Sequence, residues 1–120
     1  MGEKKLRDLT LKEINNEVQS ILGDWEIEEI SNTMTMFHFN SDEQKCFITV
    51  HKFNDGTILV SFNYELNDNI NYYSKSIYSD YNNFIKCIKG ISVNVTDSTF
   101  IDLEDKLYDF LRNHFRETLI

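Results

Sequence analysis

Two runs with an apolar period of two, KCFITVHKF and TILVSFNYEL, flank Asn54, Asp55 and Gly56. A short loop containing Gly between β-branched and aromatic runs predicts a β-hairpin. With Gly56 in the left-handed position of that loop, Val50 falls opposite Val60 and Ile48 opposite Phe62. One face then collects Cys46, Ile48, Val50, Ile58, Val60, Phe62, Tyr64 and Leu66, an apolar stripe that has to be buried. The reverse face shows Phe47, Thr49, His51 and Phe53 beside Leu59, Ser61 and Asn63. A covering helix is the simpler expectation for it, because large apolar patches are rare on monomer surfaces.

Upstream the period is helical. Leu11, Ile14, Val18, Ile21 and Leu22 repeat at helix spacing after a capping box, Thr10-Leu11-Lys12-Glu13, and Gly23 supplies the stop. From Asp24 the period returns to two. Trp25 and Ile27 alternate with Glu26 and Glu28, Ser31-Asn32 turn the chain, and Met34, Met36 and His38 oppose Thr35, Phe37 and Phe39. After the central hairpin, Asn67-Asp68-Asn69 forms a turn cluster, and residues 70–78 read as a fifth, edge-like strand rich in Tyr and Ser. Tyr72, Tyr73, Tyr78 and Tyr81 are interface anchors if exposed, with ordinary packing as the default.

Tyr81, Phe84, Ile85 and Ile88 predict a short middle helix capped by Ser79 or Asp80 and ended by Gly90. Ile91, Val93 and Val95 alternate over the length of one brief strand. A long last helix opens at Thr99 and Asp102, with Leu103, Leu107, Phe110, Leu111, His114 and Leu119 on its apolar side. The expected fold is α+β in two layers: an antiparallel meander of four to five strands with an N-terminal helix, a short middle helix and a long C-terminal helix. The 120 residues suffice for a single domain with its own core, residues 1–8 being a flexible N-terminal arm.

Charge changes this picture more than composition does. Between Glu13 and Gln44 there are eight acids and no Lys or Arg, while the other acids are matched by all 12 bases, so the whole formal charge of −8 resides there. Clustered acids on a first hairpin either solubilise or await a cationic protein. The candidate partner-binding residues are Asp24, Glu26, Glu28, Glu29, Asp42 and Glu43, with Phe47, Phe53 and Leu59 as an apolar contact of the alternative kind. Nucleic acid and anionic membrane are disfavoured, since neither docks without clustered Lys and Arg. No apolar run approaches a membrane span, and no apolar segment follows the basic N-terminus. The two cysteines, without close spacing, read as reduced core thiols of a cytoplasmic protein. The absence of proline and alanine, beside many Ile, Asn, Lys and Tyr, suits an AT-rich genome.

Enzyme chemistry finds little footing. Cys46 and His51 are five apart in one strand and so face opposite ways, which removes the nearest nucleophile and base pair. His38, His51 and His114 lack ligand spacing, and no Gly-rich phosphate loop exists, so no metal or cofactor is expected. The expectation is a small acidic binding protein acting on a basic partner, most simply as a monomeric inhibitor. The format is similar to a toxin-immunity protein facing a cationic nuclease toxin, or to a phage-type inhibitor of a nucleic-acid-handling enzyme. The alternative is a dimeric chaperone for a secreted effector, to which size, acidity and layout are loosely similar.

Overall fold

The computed structural model describes residues 5–40, 44–66, 70–96, 109–110, 112–113 and 117–119. Its elements are a 3-10 turn (Leu6–Asp8), α1 (Leu11–Leu22), β1 (Glu26–Glu29), β2 (Met34–Asn40), β3 (Gln44–Lys52), β4 (Ile58–Leu66), β5 (Ile70–Tyr78), α2 (Tyr81–Thr96) and β6 (Glu117–Leu119). The six strands form one antiparallel sheet in chain order, β1-β2-β3-β4-β5-β6. The fold is thus α+β with an antiparallel meander.

The central hairpin has the predicted register, Val50 opposite Val60 and Ile48 opposite Phe62. Gly56 sits at φ 90°, where other residues are strained, and its N–H donates to Phe53 O at 3.0 Å. The Asp55 carboxylate accepts from the Thr57 N–H at 2.9 Å and the Thr57 hydroxyl at 2.6 Å, which closes the loop and holds the carboxyl below its ordinary range. Of the predicted stripe, Cys46 to Tyr64 are buried, and the Leu66 side chain lies outside the described residues. The capping box of α1 is also present: Thr10 Oγ1 accepts from Glu13 N–H, and Glu13 Oε1 accepts from Thr10 N–H.

One core joins Ile14, Val18 and Leu22 of α1, Phe84, Cys87, Ile88, Ile91 and Val95 of α2, and the inward side chains of β2 to β4. Both helices therefore cover the same side of the sheet. Among the described side chains of β5, Ser74 and Ser76 are the buried ones, and α2 packs on that strand, where small side chains admit a close approach.

Three expectations need correction. α2 does not stop at Gly90 but continues to Thr96, and the brief strand over Ile91, Val93 and Val95 is helix instead. Ile88, Ile91 and Val95 are buried while Val93 is 55% exposed, a helical face that the short alternation disguised. Gly90 stays because its missing side chain seats the Phe110 ring: a Cβ there would lie 2.1 Å from Phe110 Cε1. The long C-terminal helix lies mostly outside the described residues, and its expected end is corrected. Residues 97–108 lie outside the described residues, 109–110 and 112–113 are helical, and Glu117–Leu119 is a strand paired with Tyr73 to Lys75. The N-terminal stretch is also less loose than expected at one point, since Leu6 is buried in the core.

Candidate functional site

Residues directly opposite in antiparallel strands share a sheet face, so the pairings define what lies on the side away from the helices. One row reads Glu26, His38, Phe47, Asn63 and Tyr73; the next Glu28, Met36, Thr49, Ser61 and Lys75; the third Met34, His51, Leu59 and Ile77. None of these residues belongs to the buried core. Most are half-buried, Ser61 is buried, and Ile77 is 55% exposed. The covering helix expected for this face is not there among the described residues: α1 and α2 both pack on the other side. Two amphipathic helices can screen only one face, and the larger, fully apolar stripe took them.

The face is graded. Its edge on β1 is acidic, with Glu26 and Glu28 exposed, and His38 Nε2 stands 3.7 Å from Glu28 Oε1. Its centre is thioether, aromatic and aliphatic. His38 lies 6.0 Å from the Phe47 ring, and His51 lies 4.7 Å from the Phe53 ring, centroid to centroid. Lys75 stands on β5, opposite Glu117 of the last strand, β6.

The acidic residues and the apolar trio, read from sequence as rival contact sites, thus meet on one surface. Glu26, Glu28, Phe47 and Leu59 share it, and half-buried Phe53 continues it past the end of β3 through its contact with His51. Glu29 does not: it pairs with buried Thr35 and so belongs to the helix-bearing side, although it is exposed at the edge. Asp24 is exposed between α1 and β1. Asp42 and Glu43 lie outside the described residues. Sequence reasoning missed Met34, Met36, His38, Tyr73 and Ile77 as members of this face. Their strand parity was legible, but their alignment with the hairpin depended on turns whose length did not determine register.

The chemistry of the opposite side is closed off. Cys46 and Cys87 are free thiols buried in the core. Burial pushes the Cys46 thiol well above its ordinary range and Cys87 to about 12, the latter moderated by a hydrogen bond with Tyr78. His51 is on the open face, pairing with Leu59, and Cys46 on the buried one, pairing with Tyr64. Among the described residues, no group of three His, Cys, Asp or Glu converges. A shallow groove of about 360 Å³ between α1 and α2, lined by Ile21, Tyr81 and Ile85 with Glu17 and Lys89, has no cluster of reactive groups. No helix among the described residues is long and apolar enough to cross a membrane. Compared with known proteins, the chain matches no protein-family model, no curated sequence and no solved structure.

Proposed function

We propose that this chain is a small acidic intracellular protein-binding protein whose open sheet face docks a basic protein partner and inhibits it. A toxin-immunity protein against a cationic nuclease toxin and a phage-type inhibitor of a nucleic-acid-handling enzyme are the two forms that suit it. The observation that carries the reading is the coincidence of Glu26 and Glu28 with Phe47 and Leu59 on a sheet face that α1 and α2 leave open. An apolar centre with a charged rim is the anatomy of a protein interface. Acidity at the rim speeds capture of a cationic target, which matters when that target is harmful.

A second reading, a dimeric chaperone for a secreted effector, draws on the same face: Met34, Met36, Phe47 and Leu59 offer an adaptable apolar surface that methionine suits. Sedimentation separates the two, since the inhibitor reading expects a monomer.

The direct test identifies the protein retained on the immobilised chain at low salt and then measures its association rate against ionic strength. In the pair E26Q/E28Q association should slow by about threefold to tenfold at low salt and its salt dependence should flatten, because exposed charges act on encounter and are screened beyond ~8 Å at physiological salt. Binding that ignores both salt and these substitutions overturns the reading and leaves the chaperone as the better one.

A further inference from the structure

β1 offers its backbone as well as its side chains. It ends the strand order, and the phase of its hydrogen bonds follows from the turn beside it. The Ile30 N–H donates to Met34 O, so the pairs two residues apart from it, Glu28 with Met36 and Glu26 with His38, are the hydrogen-bonded ones. β3 agrees from the other side. The Lys52 N–H donates to Thr33 O, which turns the backbone of Thr35 and Phe37 toward β3 and that of Met36 and His38 toward β1. Ile27 and Glu29 therefore aim their N–H and C=O groups away from β2, at an edge of the sheet that no strand among the described residues covers.

The side chains alternate against that backbone. Glu26 and Glu28 stand on the open face; Ile27 stands on the other, aligned with Phe37 and 38% exposed. A strand added antiparallel to β1 would hydrogen-bond through residues opposite Ile27 and Glu29. Its intervening residues would face Glu26 and Glu28 in the closer, non-hydrogen-bonded pairs, where opposite charges interact best. This phase sets the chemistry of the added strand: cationic where it faces Glu26 and Glu28, and apolar where its backbone bonds to Ile27, with Glu29 in the same bonding phase at the end of β1. A second copy of this chain is the wrong occupant, because antiparallel pairing of two β1 strands opposes glutamate to glutamate.

We propose that β1 captures an extended segment of the basic partner by strand addition, the segment alternating Lys or Arg with Val or Ile. This rests on the docking reading above and names the structural form of the partner's contact.

The probe is a seven-residue peptide alternating Lys and Val, offered to the full chain. Trp25, the sole tryptophan, is buried just before β1 with its ring 5.5 Å from that of Phe39, so its fluorescence reports on the edge. N-methylation of the Val amides removes the donors that face β1 and should weaken binding by about tenfold or more. N-methylation of the Lys amides, which face solvent, should leave binding within about twofold. Slippage of the peptide by two residues preserves this distinction, because the side-chain period is two. Equal loss or equal tolerance from the two methylation patterns overturns strand addition. If such binding is still weakened by E26Q/E28Q and by salt, the acidic docking face survives without it. Binding indifferent to E26Q/E28Q overturns both, and a peptide that fails to bind overturns strand addition while the partner kinetics decide the docking face separately.

Discussion

The two faces of this sheet carry comparable stocks of large side chains and put them to different ends. On one, Phe37, Ile48, Val50, Ile58, Val60 and Phe62 are fully buried beneath α1 and α2. On the other, Met34, Met36, Phe47, Leu59 and Tyr73 are half-buried, with Glu26 and Glu28 exposed at the β1 margin. The first face is β-branched and phenylalanine-rich, side chains with few rotamers that pack into one arrangement. The second mixes thioether, imidazole, hydroxyl and amide groups, which tolerate water and adapt to a partner. Apolar content alone does not tell the covered face of this sheet from the open one; the mixture of polar groups within it does.

The sharpest way to break this comparison is to place one charge on each face. Val50→Asp buries an unpaired carboxylate and should destabilise by about 3–5 kcal/mol in a urea melt. Its chain neighbour on the open face, Thr49→Asp, should change stability by less than about 1 kcal/mol. Equal losses would mean that the open face is covered in solution.

Thiol reactivity sharpens the same contrast. Cys46 and Cys87 should react with a bulky reagent only after denaturation, whereas a thiol introduced by Thr49→Cys should label in the native protein. Cys46→Ser should leave partner binding intact apart from a stability loss. Alkali supplies a further check. Burial raises the Cys87 thiol from its ordinary 9.0 to about 12, so the unfolded chain loses this proton first. Its contribution to stability is fully present below pH 9.0 and declines as pH rises from there toward about 12. Unfolding midpoints that rise over that window would contradict the buried thiol.

A smaller effect is expected behind α2. Ala normally improves a helix over Gly by about 0.5–1 kcal/mol, but Gly90→Ala must push aside the Phe110 ring, whose Cζ would lie 2.5 Å from the new Cβ. A net loss of about 1 kcal/mol is expected, turning into a gain in a Phe110→Ala background. A gain in both backgrounds would show that Phe110 does not occupy the Gly90 notch. The least effect belongs to Glu28→Gln, which relieves repulsion with Glu26 on an exposed strand. It should be neutral or stabilising by up to about 0.5 kcal/mol while still slowing association.

Local patterning made much of the molecule legible. The three-residue loop ending in Gly56 determined the hairpin register, and Thr10 with Glu13 determined where α1 begins, because turn geometry and capping act within a few residues. Parity along each strand separated Phe47 from Cys46 before any tertiary contact was known. Glu26 and Glu28 were likewise recognisable as neighbours on one strand face. Their union with Phe47 and Leu59 was not, since it needed β1, β2 and β3 aligned across two turns.

Tertiary structure decided what the helices cover and where they end. Ile91, Val93 and Val95 satisfy a strand and a helix equally well over so few residues, and the choice fell to burial of Ile88, Ile91 and Val95 in the common core. Gly90, a helix terminator by local rule, became an interior residue because the Phe110 ring fills the space that its side chain lacks. Leu6 joined the core and Glu117–Leu119 joined the sheet through partners distant in the chain. The physical reason is common to all of them: hydrogen bonds within a turn or cap depend on neighbours in sequence, whereas burial depends on which surfaces remain to be covered once the chain has closed on itself.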